Sequence, residues 1–546
     1  MRKILILWIY IALIWAVPLQ LYGSGDSTAG ALTEKIREKM RAPRTFCIRE
    51  GLASPSLLSR FYSARKYRPA WFTGRTLSSN ATDFIAAIEE APAWGLKSAD
   101  YHLDAIGTLV QKASKDPAAG AELDLVLTDS FFIYASHLHA GRIDPETIHP
   151  QWSGHRRRLN LTRTLEGALA RGAVAESLGR LHPPHSEYTR LRQSLGFYRA
   201  IAQQGGWEFI PRGTMLRKGD RSRRVALLRR HLEMTGDLAE SGCEDTLLFD
   251  TALQRALMKY QQRHNLRIDG ILGPESTQRL NVPVEGLIGV IELNMERWRW
   301  LPHNLGTRYI RVNIADFSLD VMEKDEPVLS MKIVAGKSYR KTPVFSSNMT
   351  YLVINPFWNV PTIIAVEDIL PLLPRNPAYL TEQKIKVYES WDDDMPEIDP
   401  GRIKWNTLDR DPFPYYFRQA PGPDNPLGRI KFMFPNRFDV YLHDTPHRDL
   451  FNRTMRGFSS GCIRIEKPLD LAAYVLQEDE HWNRHAIEEA LQSEITQTVP
   501  LSRSIPVHIL YITAWTDREG GTHFRHDIYE RDIVLHAALM KKPPPL

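Results

Sequence analysis

Cysteine is nearly absent: Cys47, Cys243 and Cys462 are the three in 546 residues. That excludes a disulfide-framed fold, and an odd count in an oxidising compartment leaves one thiol over. Whether Cys47 and Cys243 pair is left open by their spacing. Metal-ligand spacing is lacking too. His443 and His447 stand four apart, but Pro446 between them rules out a helical pair of ligands. The sequence therefore predicts no metal and no cofactor. Nor is any apolar run long enough for a comfortable bilayer crossing, which needs about 20 residues. The longest, residues 4–17, follows Arg2-Lys3 and precedes a small, polar stretch. It reads as an export signal over residues 1–24, with an uncleaved anchor, and hence membrane contact, as the lesser alternative. The bulk of the chain is expected outside the cytoplasm. Charge of one sign is also scarce: a formal +6 at this length suits an anionic partner but does not argue for nucleic acid.

What is present is an ordinary globular composition, 43% hydrophobic and 25% charged, over a length that predicts two to four domains. Residues 25–211 carry helical patterning, with aromatic-rich stretches and Leu123, Leu127 and Phe131 at helical spacing. Such stripes are read as core. Residues 212–282 form a compact unit of three short helices. Val225, Leu228 and Leu232 give one apolar face, and Phe249, Leu253, Leu257 and Tyr260 another. Asp269-Gly270 makes a turn, and Pro274 opens the third helix. The arginines at 221, 223, 224, 229 and 230 read as a solvated face or a contact with an anionic wall polymer. A linking helix occupies 283–304.

Beyond Tyr309 the period changes to two, with Ile310, Val312 and Ile314, then Phe317, Leu319 and Val321, announcing a mainly β domain over 305–546. Within it, residues 365–430 lose the strand pattern. They carry many prolines, the acidic run Asp392-Asp393-Asp394, and exposed-looking aromatics at Trp391, Trp405, Tyr415 and Tyr416. So long an irregular insert is expected to be a lid. A short helix with Leu469, Ala472 and Leu476 facing inward, a strand over 505–515 and a frayed P-P-P-L terminus complete the expectation.

The chemistry concentrates in residues 440–466, V-Y-L-H-D-T-P-H-R-D-L-F-N-R-T-M-R-G-F-S-S-G-C-I-R-I-E. A strand period of two sends Val440 and Leu442 to a core, with Tyr441 and His443 opposite. Ile463 and Ile465 likewise leave Cys462 and Arg464 on the other face. A buried cysteine and a packed histidine are the commoner fates, but the alternation puts both on non-core faces. Cys462 is thus the candidate nucleophile and His443 its base. Ser460 and Gly461 are small enough for a substrate backbone to approach. The N–H groups of Gly461 and Cys462 are candidate oxyanion donors, while Tyr441 and Arg464 are candidate substrate binders, Arg464 for a carboxylate. Arg464 in a plain surface ion pair is the competing reading. Asp444 would point away from the imidazole, and no Asp or Asn at a diagnostic spacing stands out, so the group that orients His443 is left open by the sequence.

H-D-T-P followed by R-G-F-S-S-G-C-I-R-I resembles the signature of L,D-transpeptidases, the cysteine enzymes that cross-link peptidoglycan. Ser460, where the commoner signature has His, and Arg464, where many members have Asn, resemble the large Gram-negative-type branch. G-K-S-Y-R-K-T-P-V-F and N-P-F-W-N-V-P-T-I-I-A resemble it as well, and D-G-I-L-G-P-E-S resembles a peptidoglycan-binding module. The resemblance implies a multidomain α+β protein of helical scaffold, three-helix wall-binding module and β catalytic domain with a lid insert, placed in the periplasm. It implies attack by Cys462 on the third stem residue, release of D-alanine, and transfer to a second stem as a 3→3 cross-link. Peptidoglycan stems are then donor and acceptor, and other wall synthases are further partners it allows. A hydrolase on the same acyl-enzyme path and an idle wall-binding protein are the alternatives.

Overall fold

The computed structural model describes residues 24–41, 51–153, 157–239, 245–392 and 395–546. The export signal, Cys47, Cys243, Asp393 and Asp394 lie outside the described residues, apart from the signal's last position. The chain is a multidomain α+β protein. Among the described residues no helix is long and apolar enough to cross a membrane.

The N-terminal helical part is built around α1, Pro117–Ala140. Asp116 caps it, accepting from Ala118 N at 2.8 Å, Pro117 occupies the first turn, and Gly141 ends it. Leu123, Leu127 and Phe131 are fully buried, as their spacing predicts. Buried acids on α1 are satisfied rather than reactive: Asp124 accepts from Ala70 N, Trp71 N and the Tyr62 hydroxyl. A further long helix, α2, is Ser186–Gln203.

Three helices follow: α3, Arg223–Met234; α4, Thr251–Arg263; and α5, Pro274–Leu280. Ser222 and Asp250 cap the first two, and every apolar position named above for this unit lies in its core. The connecting helix α6, Val284–Arg299, is more than a linker. Its Ile291, Met295 and Trp298 share a core with α2 and with Tyr309, Met322, Ala514 and Phe524 of the β domain. Glu285 and Gly286 near its start are exposed, but from Ile291 to Arg299 every residue except Glu292 is buried.

In the β domain the strands are β1, Arg308–Asn313; β2, Ser318–Glu323; β3, Glu326–Gly336; β4, Phe345–Ile354; β5, Trp358–Asn359; β6, Ile385–Tyr388; and β7, Tyr416–Gln419. They continue with β8, Ile430–Met433; β9, Leu442–His443; β10, Gly457–Ser459; β11, Ile463–Ile465; and β12, Gln497–Leu510. A nine-stranded sheet runs β10-β3-β11-β9-β8-β4-β12-β1-β2, and β2 pairs back onto β3, closing it around one apolar core. Helix α7, Pro468–Val475, covers the core with Leu471, Ala472 and Val475 rather than with Leu469, which is only partly buried.

Three expectations are corrected here. Residues 365–430 are not irregular: with β5 they form a three-stranded sheet, β5-β7-β6, over a core including Leu373, Val387, Trp405 and Phe417. Trp405 is therefore buried, not exposed. These strands have four residues or fewer, too few for a period to register. The strand expected over 505–515 breaks after Leu510. There Asn294 of α6 binds Thr513 N and Thr513 Oγ1 at 2.9 Å each, diverting the chain into a separate hairpin. Finally, the terminus is docked, not frayed. Leu546 donates its N–H to Ala53 O at 2.9 Å and packs on the helical core, after a helix at Arg531–Met540 that the sequence reading missed.

Candidate functional site

Strands β9 and β11 run parallel and adjacent, Leu442 facing Ile463 and His443 facing Arg464. Ile463 N donates to Tyr441 O at 3.1 Å, which extends the register so that Tyr441 lies beside Cys462. Val440, Leu442, Ile463 and Ile465 enter the core. Tyr441, His443, Cys462 and Arg464 consequently form one four-residue patch on the opposite face. The alternation predicted both faces.

His443 is 4% exposed, and its Nδ1–H donates to Asp444 O at 2.5 Å. Its Nε2 is then the lone-pair nitrogen. Burial, reinforced by the Arg464 charge, pushes the imidazole down to about 3, so the ring is neutral. The Asp444 carboxylate points away, as expected, accepting from Arg429 N and Arg448 Nη1. Burial pushes the Cys462 thiol up, while hydrogen bonds from Tyr441 and the charges of Lys431 and Arg464 oppose it. Sγ lies 3.9 Å from Asp439 O, and no direct hydrogen bond joins it to the imidazole. The two groups sit diagonally on neighbouring strands.

Arg464 makes no ion pair with any described residue, and its Nε is buried without a partner. The surface-ion-pair reading does not hold. Burial without an acid lowers its pKa. Lys431, opposite His443 across the β8–β9 pair, was missed by the sequence reading. Its Nζ stands 3.9 Å from the centre of the Tyr441 ring, and burial lowers its pKa. The clue was available in I-K-F-M, where Lys431 alternates with core Ile430 and Phe432, but only the pairing places it beside the site.

The loop before Cys462 is pinned at several points. Lys337 N donates to Ser459 O at 3.0 Å, and Thr342 Oγ1 donates to Gly461 O at 2.8 Å. Gly461 has φ +116°, a conformation that favours glycine. Its N–H donates to Ser459 Oγ at 3.2 Å, so it is not a free oxyanion donor. The Cys462 N–H has no acceptor among the described residues. Ser460 Oγ accepts from Arg340 Nη1 at 2.9 Å, and the same guanidinium binds Glu367 and Asp368 of the insert. Arg340 therefore ties insert to loop; the sequence reading gave it no role. Among the described residues no group of three or more His, Cys, Asp or Glu is placed to hold a metal.

Comparison with known proteins covers most of this architecture. Family models match as "Scaffold domain" over residues 56–195, "Putative peptidoglycan binding domain" over 221–280 and "L,D-transpeptidase catalytic domain" over 307–498. A Haemophilus influenzae protein named "Putative L,D-transpeptidase" is 37% identical over 250 residues, which are 45% of this chain and 49% of that protein. The match thus spans about half the length of this curated relative. Among solved structures, an L,D-transpeptidase from Xylanimonas cellulosilytica is 13% identical, with 55% of this chain and 99% of that chain covered, at a TM-score of 0.16. The Ldtfm–avibactam carbamoyl enzyme is 11% identical, with 38% and 49% covered, at a TM-score of 0.18.

Proposed function

We propose that this chain, which carries an L,D-transpeptidase catalytic domain, is a cell-envelope transpeptidase joining peptidoglycan stems by 3→3 cross-links through a Cys462 acyl-enzyme. The observation that carries this reading is the patch of Tyr441, His443, Cys462 and Arg464 on one face of two parallel strands. Its imidazole is neutral, and the protonated nitrogen is already occupied by a backbone carbonyl.

In the first half-reaction, rotation of the Cys462 side chain away from Asp439 O brings Sγ toward Nε2 of His443. The imidazole takes the thiol proton, and the thiolate attacks the carbonyl carbon of the third stem residue. The Cys462 N–H meets the oxyanion. As the C–N bond to D-alanine breaks, the imidazolium protonates the leaving amine, leaving a thioester. In the second half-reaction, the side-chain amine of another stem attacks the thioester, gives its surplus proton to His443, and expels the thiolate, which regains a proton. The product is an amide between two third residues.

Arg464 and Lys431 suit the carboxylates of the stem, since neither makes an ion pair among the described residues, Asp439 acting on Lys431 only at longer range, and both are half-buried. The insert, tied to the nucleophile loop through Arg340, serves to align the amine and keep water out. The module over 221–280 raises the local concentration of wall strands. Incubating the purified chain with a tetrapeptide stem and resolving products by mass tests the reading. Cross-linked dimers with free D-alanine support it; free tripeptide as the dominant product would make the chain a hydrolase instead.

A further inference from the structure

The small sheet of the insert, β5-β7-β6, has two unlike faces, and the period of two separates them. Ile385, Val387, Phe417 and Gln419 are buried, and Trp358, opposite Gln419, packs inward with them. Lys386, Tyr388, Tyr416 and Arg418 consequently stand on the other face. There Arg418 lies between Asn359 and Lys386, and Tyr416 is opposite Tyr388. Phe357, two residues before Asn359, shares this face. Of the aromatics that the sequence singles out in the insert, Trp405 and Tyr415 join the core, while Trp391 and Tyr416 belong to the open side. Phe357 is 46% exposed and Trp391 39%.

Arg418 is the hub of the open face. Its guanidinium carbon lies 5.5 Å from the ring centre of Trp391, 5.6 Å from Tyr388 and 5.9 Å from Phe357. It donates through Nε to Asn359 Oδ1 at 3.0 Å and through Nη2 to Trp391 O at 3.4 Å. Trp391 in turn meets Tyr416 edge to face, ring centres 4.9 Å apart. The rings are thereby held in place around one cation before any ligand arrives. Neither cation of the face is spare. Lys386 is paired with Glu397 at 2.8 Å, and Arg418 is engaged by an amide oxygen, a carbonyl and the rings.

Large aromatics gathered in the open, with polar groups between them, mark a binding surface. This one offers apolar ring faces, hydroxyl and amide groups, and no charge left to draw an anion. A neutral sugar chain matches that chemistry: each sugar has an apolar C–H face to lie on an aromatic ring, and hydroxyl and amide groups at its edge for Asn359, Tyr388 and Tyr416. A peptide bearing several carboxylates finds no spare cation here. From this arrangement we infer a glycan-binding site on the open face of the insert, taking β-1,4-linked N-acetylhexosamines. The inference builds on the function proposed above, in which the strand is the sugar backbone of peptidoglycan. The insert then holds the strand on the body that Arg340 ties to the loop before Cys462.

The test is calorimetric titration of the full chain carrying Cys462→Ala, which turns nothing over, with chitohexaose and separately with a free tetrapeptide stem. Saturable binding of chitohexaose is expected. Trp391→Ala and Tyr416→Ala, added singly, should each weaken that binding at least about fivefold, the scale of a lost ring contact, with an unchanged circular dichroism spectrum. Trp391→Phe keeps a ring and should stay within about twofold of the parent. Sugar bound by the module over 221–280 persists in the alanine variants, which separates the two sites. If Tyr416→Ala misfolds, the exposed Trp391 alone decides. No saturable chitohexaose binding, or binding that ignores Trp391→Ala, overturns the assignment. Tetrapeptide binding that falls in Trp391→Ala as much as chitohexaose binding does would make the face a peptide site and overturn it too. No acyl transfer enters these titrations, so their outcome is read separately from that of the cross-linking assay.

Discussion

The ring Nδ1 of His443 and the carbonyl oxygen of Asp444, neighbours in sequence, are 2.5 Å apart. The strand end thereby orients its own imidazole, without a separate acid. A histidine held this way keeps Nε2 as acceptor across the whole range in which the ring is neutral, which is what the proposed base needs. Replacing it with alanine should slow acylation of Cys462 by roughly 10²–10⁴-fold, the usual worth of a positioned base. The residual rate should climb with pH as the thiol ionises unaided. Stopped-flow acylation by a carbapenem, an inhibitor class the family resemblance suggests, measures this; an unchanged rate in His443→Ala would reduce His443 to a packed strand residue.

The same shift has a consequence for stability. A histidine near 6.5 in the unfolded chain and about 3 when folded takes up its proton only on unfolding as pH falls between those values. Its contribution is fully present above about 6.5 and is lost progressively toward 3. Melting temperature should therefore fall less steeply between pH 6.5 and pH 4 in His443→Gln than in the native chain. Parallel curves for the two proteins would show that the imidazole is not buried in neutral form.

Arg464 and Lys431 predict a carboxylate-specific defect. Arg464→Ala should lower kcat/KM by about ten- to a hundredfold, the span of a charge-assisted hydrogen bond lost. The penalty should shrink for a stem amidated at the carboxylate that Arg464 holds. Equal penalties on free and amidated stems would place Arg464 in a structural role.

Arg340 joins Ser460 of the loop before Cys462 to Glu367 and Asp368 of the insert. Releasing this tie with Glu367→Gln and Asp368→Asn together should lower the ratio of cross-linked dimer to free tripeptide while acyl-enzyme formation changes less. Replacing residues 365–430 with a short Gly-Ser loop should push the ratio further the same way. Product ratios by mass spectrometry decide, and an unchanged ratio in both variants removes the insert from acceptor selection.

Legibility in the sequence followed sequence distance. The faces of β9 and β11 depend on alternation within five residues, so Tyr441, His443, Cys462 and Arg464 could be placed together before any pairing was known. Lys431 and Arg340 could not, because strand pairing brings the first beside His443 and a guanidinium spanning two segments brings the second to Ser460. The Gly461 N–H looked available for the same reason: its competitor is the Ser459 side chain, whose rotamer no pattern reveals. Short strands hid the order of the insert, and the docking of Leu546 on Ala53 joins opposite ends of the chain.

On the proposed mechanism Cys462 carries the stem through a thioester. Its direct measurement is the intact mass of the protein, acid-quenched during turnover of a tetrapeptide stem, for the native chain and for Cys462→Ala. A tripeptide acyl adduct is expected on the native chain, mapped by digestion to the peptide containing Cys462, with D-alanine released and no adduct on the variant. An adduct of the same mass on Cys462→Ala, or cross-linked product from that variant, would contradict it.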